Sequence, residues 1–123
     1  MRVRISADDG SGVYVGLGAN VHVRDSIVDG GGGANAPSLG TYGLYVETNA
    51  PRITPVLVER GSIRGFMTGV HIQAVMPGVD RFVATISDSV ISDNDQGIET
   101  LCLNAGAGQL SIVDSTIANS GVR

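Results

Sequence analysis

A chain of 123 residues can bury one core, so the sequence predicts one domain. Its 18 glycines and aromatic fraction of 4% disfavour helices and favour short strands joined by tight turns. The formal charge is −4 and all 8 cationic side chains are arginines spread along the chain, which argues against a nucleic-acid partner and against a basic membrane-binding surface.

We expect no targeting segment at the amino end. Arg2 and Arg4 are not followed by an apolar run, and no apolar run elsewhere is long enough to span a bilayer. Cys102 is the single cysteine, which excludes an intrachain disulfide but leaves the compartment open. The sequence therefore predicts a soluble, acidic protein of unknown localisation.

One segment occurs four times along the chain. Each copy alternates apolar residues, turns at a short polar or glycine-containing pair, and ends on a further apolar residue and a turn residue. The copies are VHVRDSIVDG from Val21, VLVERGSIRG from Val56, ATISDSVISD from Ala84 and LSIVDSTIAN from Leu110. A second frame, a glycine followed by alternating apolar residues, recurs at Gly12, Gly43, Gly69, Gly97 and Gly121. Both frames have the periodicity of strands.

Coils of this kind resemble the right-handed parallel β-helix, the pectate-lyase-like superfold, from about Ile5 onward. The resemblance implies an all-β fold: a short right-handed parallel β-helix of about five rungs that is uncapped at both ends. We expect residues 1–123 to form this single domain or a fragment of a longer solenoid.

Aligning the copies predicts which side chains stack in columns. Three outward pairs of opposite charge support the alignment, because such pairs stabilise neighbouring strands. Arg24 lies over Glu59, Asp25 over Arg60 and Asp29 over Arg64. The predicted inward columns are Val21–Val56–Ala84–Leu110, Val23–Val58–Ile86–Ile112, Val28–Ile63–Ile91–Ile117 and Val13–Leu44–Val70–Ile98–Val122.

Two corner columns are expected between the strands. Residues that tolerate a left-handed backbone align at the first corner, and Asp–Ser pairs align at the second. The second copy departs from the Asp–Ser pattern with Arg60–Gly61, so we expect Gly61 to make that turn. The first column is Gly30, Gly65, Asp93 and Asn119, and the second is Asp25–Ser26, Asp88–Ser89 and Asp114–Ser115.

The candidate ligand surface is an outward column of the second frame. Its members are Tyr14, Tyr45, His71, Glu99 and Arg123. Aromatic rings beside a carboxylate could stack on a sugar or contact a protein partner, and carbohydrate-active proteins of the resembling superfold bind substrates along such a face. The alternative is a solvent-facing ladder that only stabilises the coil.

Other polar residues carry weaker signals. Asp93 and Asp95 could bind a hard cation or could cap a turn. His22 and His71 fall on different rungs, so we expect two surface histidines and neither a metal site nor a cofactor. Of the catalytic segments that the resemblance would imply, only an isolated Asp8–Asp9 is present, so no catalytic residue is predicted.

Missing caps predict self-association, because an open coil exposes apolar core and unpaired backbone. Leu57 and Val113 are expected to point outward. The sequence thus predicts a noncatalytic structural or binding module that forms a homo-oligomer, and the alternative is a truncated or degenerate carbohydrate-active enzyme. The candidate interface residues are Phe66, Met67, Val75, Met76, Val79 and Val122.

Overall fold

The computed structural model describes residues 3–6, 11–16, 20–30, 40–48, 53–74, 81–102 and 107–118. Within these ranges every regular element is a strand. They contain no helix long and apolar enough to cross a membrane. In chain order the strands are β1 (Val3–Ser6), β2 (Ser11–Val15), β3 (Val21–Arg24), β4 (Ser26–Asp29), β5 (Gly40–Thr48), β6 (Ile53–Glu59), β7 (Ser62–Arg64), β8 (Phe66–Ala74), β9 (Arg81–Ser87), β10 (Val90–Ser92), β11 (Gln96–Cys102), β12 (Ala107–Val113) and β13 (Thr116–Ala118).

The strands form three parallel sheets. Sheet A has the order β1-β4-β7-β10-β13, sheet B has β2-β5-β8-β11, and sheet C has β3-β6-β9-β12. Successive strands pass from sheet A to sheet B to sheet C, so each coil of the chain adds one strand to every sheet. The protein is therefore a short parallel β-helix, which confirms the predicted fold class.

The strand registers confirm the predicted inward columns. Val21 pairs with Val56, Val56 with Ala84, and Ala84 with Leu110. The same registers align Val23–Val58–Ile86–Ile112, Val28–Ile63–Ile91–Ile117 and Val13–Leu44–Val70–Ile98, while Val122 lies outside the described residues. The members on the middle rungs are buried and form one continuous core.

A bulge in sheet B decides which side chains reach its outer surface. A Cβ atom on Gly43 would collide with the side chain of Ile63 and lie 2.5 Å from the carbonyl oxygen of Gly69. Leu44, the next residue, is also inside, at 1% exposure. Two successive residues thus face the core, and the preceding Tyr42 is turned outward. The pairings of β5 with β2 and β8 stay one residue to one, so no residue is inserted, and we use the word bulge for this break in side-chain alternation at Gly43.

Phe66 is fully buried, so its predicted place on a surface interface is wrong. Gly65, at φ 79°, turns the chain immediately before it. The Phe66 ring then lies against the backbones of Gly30 and Gly43, where no side chain competes for the space. Met67 is exposed as predicted. The other candidate interface residues, Val75, Met76, Val79 and Val122, lie outside the described residues, and the interface itself stays a prediction.

The corner between sheets C and A uses a left-handed residue on every rung. Asp25, Arg60, Asp88 and Asp114 have φ angles of 51°, 50°, 48° and 48°. The prediction that Gly61 makes this turn is therefore wrong, because Arg60 itself adopts the left-handed conformation. Hydrogen bonds from its guanidinium to Asp25 Oδ1 (2.6 Å) and to Glu59 Oε1 (2.6 Å) hold it there. These bonds offset a backbone cost of roughly 1–2 kcal/mol.

The corner between sheets A and B follows the prediction at two of its three described positions, since Gly30 does not have a positive φ angle. Gly65 and Asp93 have positive φ angles of 79° and 56°. The Gly65 N–H donates to the carbonyl oxygen of Asp93 at 3.2 Å, so the two turns stack. Asn119 lies outside the described residues.

A ladder of serine hydroxyls follows the left-handed corner. Ser89 Oγ donates to the carbonyl of Ser87 (2.8 Å), and Ser115 Oγ donates to the carbonyl of Val113 (2.9 Å). Each hydroxyl also accepts a hydrogen bond from the N–H one rung away, Gly61 N–H to Ser89 Oγ and Ser89 N–H to Ser115 Oγ, both at 3.1 Å. Gly61 occupies the same position on its own rung and supplies no hydroxyl.

We expect Gly61→Ser to raise the free energy of unfolding by about 1 kcal/mol. A Cβ at Gly61 would meet Val58 Cγ1 at 3.4 Å and the Ser26 carbonyl oxygen at 3.6 Å, which are ordinary contacts. The new hydroxyl would extend the ladder, and losing a glycine restricts the unfolded chain. Urea unfolding followed by circular dichroism measures the gain. Gly61→Ala should raise the free energy of unfolding less, because it adds no hydroxyl. An equal increase would contradict the claim that a hydroxyl at this position extends the ladder.

Ion pairs connect the first two described copies of the repeat. The registers Arg24–Glu59 and Asp29–Arg64 are as predicted, and Arg64 Nη2 lies 3.1 Å from Asp29 Oδ2. Asp25 contacts Arg60 as predicted, whereas Arg24 approaches Asp25 (3.7 Å). Glu59 is bound by Arg60 and by His22, whose Nε2 lies 3.2 Å from Glu59 Oε2.

These contacts make stability depend on acid pH. The hydrogen bond from Arg60 lowers the pKa of Asp25 below its ordinary value of 3.8, and the hydrogen bond with His22 lowers the pKa of Glu59 below 4.5. A carboxyl group with a lowered folded-state pKa stabilises the fold above its unfolded pKa and ceases to do so as pH falls through the folded value. We expect the free energy of unfolding to fall below about pH 4.5, and to fall less steeply in Arg60→Gln. Urea titrations between pH 6 and pH 2.5 test this, and equal slopes would contradict it.

Candidate functional site

The outward side chains of sheet B form one polar and aromatic surface. Tyr14 pairs with Tyr45, Tyr45 with His71, and His71 with Glu99, so the predicted column is confirmed over these positions. Arg123 lies outside the described residues. The role of this column as a ligand surface stays a prediction. We call the outward side chains of sheet B the sheet B face: Tyr14, Tyr42, Tyr45, Glu47, His71, Gln73 and Glu99.

The rings of the sheet B face stack on each other along the coil axis. The Tyr14 and Tyr45 centroids are 5.1 Å apart with planes 27° apart, and Tyr45 and His71 are 4.9 Å apart with planes 17° apart. Tyr42 packs edge-on against Tyr45 at 4.9 Å and tilted against His71 at 5.0 Å. Both faces of the Tyr45 ring are therefore covered by protein.

His71 is buried, with 3% exposure, so the expectation of a surface histidine is wrong for this residue. The cause is the bulge at Gly43, which adds Tyr42 to the outer surface beside Tyr45 and covers the imidazole from a second side. His22, in contrast, is exposed as expected. His71 is thus part of the packing of the sheet B face.

Both imidazole nitrogens of His71 face oxygen atoms. Nε2 lies 3.0 Å from Oε1 of Gln73, where a proton on Nε2 makes a hydrogen bond. Nδ1 lies 2.6 Å from Oε1 of Glu99, but the direction of this contact is not that of a hydrogen bond. The Glu99 contact is an ion pair only when the imidazole is protonated, and the hydrogen bond with Gln73 is the contact that orients the ring.

Tyr14 differs from the other rings because it is 61% exposed. Tyr45 supports one face of its ring. Its phenol lies beside Gly16, where an added Cβ would meet the Tyr14 hydroxyl oxygen at 3.2 Å. The Tyr14 phenol therefore lies against the backbone of Gly16. Among the described residues no ring covers the face of Tyr14 that points away from Tyr45.

Glu47 brings a carboxylate next to this ring pair. The Tyr45 hydroxyl donates to Glu47 Oε2 at 3.3 Å. Burial, followed by the charge of Glu47, raises the pKa of Tyr45 above its ordinary value of 10.0. The phenol consequently stays a neutral hydrogen-bond donor at physiological pH and holds the carboxylate in place.

The arrangement offers one aromatic platform bordered by a fixed carboxylate. Tyr45 and His71 can stack on no ligand, since neighbouring rings cover them. Tyr14 can, because one ring face is free. The predicted ladder of equivalent aromatic sites is thus reduced to a single site at Tyr14, with the remaining rings as its support.

Sequence reasoning missed Tyr42, Glu47 and Gln73. Glu47 and Gln73 follow Tyr45 and His71 by two residues, so strand alternation alone places them on the same face. That signal was present in the sequence. No such signal marks Tyr42. Strand alternation counted back from Leu44 predicts that Tyr42 faces the core, and only the bulge at Gly43 turns it outward.

The backbone N–H groups of the acidic corner residues donate hydrogen bonds to neighbouring rungs. The Asp93 N–H donates to the Ala118 carbonyl oxygen at 3.2 Å, and the Asp95 N–H donates to that of Phe66 at 3.0 Å. Asp93 is the left-handed residue of its turn. Over the described ranges no three His, Cys, Asp or Glu side chains are grouped to hold a metal ion. The backbones of both aspartates thus belong to this corner, and the choice between cation binding and turn capping for their carboxylates stays a prediction.

Comparison of the chain with protein-family models, curated proteins and solved structures found no match.

Proposed function

We propose that this chain is a noncatalytic binding module whose ligand surface is the sheet B face, centred on Tyr14. The observation that carries the proposal is the 61% exposure of Tyr14, whose ring is stacked on Tyr45. Tyr45 backs the ring and Gly16 seats its phenol. An aromatic platform that is already ordered loses little side-chain entropy on binding.

Carbohydrate is the ligand class that such a platform fits best. The C–H face of a sugar ring packs on an aromatic ring, while its hydroxyls hydrogen-bond to polar side chains at the border. The nearest polar groups of this kind are Glu47 and the hydroxyl of Tyr45, which are hydrogen-bonded to each other on the neighbouring strand β5. A protein partner that inserts a flat side chain remains the competing ligand class.

The test is binding of soluble oligosaccharides by calorimetry, together with an assay for released products. We expect saturable binding without turnover. Tyr14→Ala should abolish it and Tyr14→Phe should retain it, because Phe keeps the ring. Ile53→Ala is the matched control, since Ile53 is exposed to a similar extent, 57%, but lies in sheet C. Product formation would instead support the alternative, a truncated carbohydrate-active enzyme. No binding to any oligosaccharide would contradict the proposal.

Self-association belongs to the same proposal and rests on a separate observation. Ile112 and Ile117 belong to inward columns, yet they are 45% and 40% exposed. They lie on β12 and β13, the outermost described strands of sheets C and A. A second copy that covers these side chains would bury apolar surface that the middle rungs bury internally.

Light scattering tests the association. We expect a mass that is a multiple of 12.6 kDa at micromolar concentration. Ile112→Ser should shift it toward the monomer, whereas Met67→Ser, at an exposed apolar residue on sheet B, should leave it unchanged. A monomeric mass at every concentration would contradict self-association, and a shift caused only by Met67→Ser would move the interface to the sheet B side.

A further inference from the structure

The charges of sheet B distinguish it from the other two sheets. Its four strands, β2, β5, β8 and β11, contain no arginine and no lysine, whereas sheet A carries Arg4 and Arg64 and sheet C carries Arg24 and Arg81. The same four strands contain two glutamates, Glu47 and Glu99. In the part of the chain that the structure describes, the sheet B face is thus anionic.

Each carboxylate contacts one ring of the stack. Glu47 accepts a hydrogen bond from the Tyr45 hydroxyl, and the raised pKa of Tyr45 is the response of that phenol to burial and to the Glu47 charge. Glu99 contacts His71, the one basic side chain on these strands. His71 is buried and therefore offers a ligand no exposed cation.

The Tyr14 phenol lies over Gly16. The three atoms nearest to an added Gly16 Cβ all belong to the Tyr14 ring, and the nearest is its hydroxyl oxygen at 3.2 Å. Glu47 is on β5, the strand of Tyr45, and therefore on the side of the Tyr14 ring that Tyr45 covers. A ligand on the other face of Tyr14 is one rung away from Glu47 and interacts with it through the charge of the carboxylate.

We infer that the ligand of the sheet B face is a saccharide without acidic groups, neutral or amino-substituted, that stacks on Tyr14 close to the negative charges of Glu47 and Glu99. This inference rests on the proposed binding function and names its ligand class. A sugar hydroxyl or ammonium group is a donor and suits a carboxylate. The carboxylate of a uronic acid would meet Glu47 with the same sign of charge and would find no arginine on these strands to bind it.

Three hexasaccharides of equal length test the inference by calorimetry at pH 7 and low salt: a neutral glucan, a chitosan oligosaccharide and an oligogalacturonate. We expect the neutral and amino probes to bind and the acidic probe to bind at least about fivefold more weakly, the effect of one exposed charge pair. Tyr14→Ala should abolish binding of both preferred probes. Glu47→Gln should weaken the amino probe and narrow its difference from the acidic probe.

Asp114→Asn is the matched control, because it removes a negative charge from an exposed corner away from sheet B and Asn tolerates the left-handed backbone there. It should leave the order of the three probes unchanged. Equal or tighter binding of the oligogalacturonate at a Tyr14-dependent site would overturn this inference and leave the binding function standing. Binding of none of the three would overturn both.

Discussion

Replacing Gly43 with alanine should lower the free energy of unfolding by about 3 kcal/mol or more. The added Cβ atom would collide with the Ile63 side chain and lie 2.5 Å from the backbone oxygen of Gly69. Backbone oxygen atoms in a hydrogen-bonded sheet cannot move aside as the end of a flexible side chain can. The strand must therefore shift, which opens the bulge that places Tyr42 outside. Urea unfolding followed by circular dichroism measures the loss.

Gly61→Ala is the matched control for this prediction. A Cβ at Gly61 has no neighbour closer than 3.4 Å, so its stability should be unchanged or slightly raised. If Gly43→Ala lowers the free energy of unfolding as little as Gly61→Ala does, the bulge does not require a glycine at position 43. The bulge would then not explain why Tyr42 lies on the sheet B face.

Replacing Phe66 with alanine should lower the free energy of unfolding by about 3–5 kcal/mol. Phe66 is among the largest fully buried side chains, and it fills the space above Gly30 and Gly43 between sheets A and B. Its removal leaves a cavity, because glycine neighbours have no side chains that could move in. Denaturant unfolding at a protein concentration where the assembly state is constant gives the value.

Met67→Ala provides the adjacent control. Met67 is 51% exposed, so its truncation should change the free energy of unfolding by less than about 0.5 kcal/mol. A cost for Phe66→Ala below about 1 kcal/mol would place that ring on the surface, where the sequence alone had predicted it.

The coil itself could be predicted from the sequence because the repeat constrains it many times over. The alignment of Val21, Val56, Ala84 and Leu110 simultaneously fixes the register of every strand in sheet C. A shift by one residue would turn these apolar side chains to solvent. The charge pair Arg24–Glu59 gave the same register from the outward surface of β3 and β6.

Residues at the ends of strands were predicted less well, because local geometry there overrides alternation. Phe66 directly follows a left-handed glycine, so its direction depends on the turn and not on the strand. Arg60 takes a conformation that glycine would adopt at lower cost, and its contacts with Asp25 and Glu59 explain why. The contact with Asp25 joins two rungs and becomes visible only once the coil is assembled.

The sequence predicted which residues share the column of the candidate site, but it did not predict how exposed each side chain is. Register alone places Tyr14, Tyr45 and His71 in line, and the structure confirms that. Spacing between rungs also means that adjacent rings must stack on each other, which removes Tyr45 and His71 as ligand platforms. That consequence follows from the fold, yet the distribution of exposure between Tyr14 and His71 required the packing of Tyr42.

The central claim is that ligand binds at Tyr14 on the sheet B face. Nuclear magnetic resonance of the isotopically labelled protein, titrated with the neutral hexasaccharide, tests it at the level of single residues. The account predicts that amide shifts concentrate on β2 and β5 around Tyr14, Gly16 and Glu47, with little change along sheets A and C. Shifts that cluster on another sheet, or no shifts at millimolar saccharide, would contradict it.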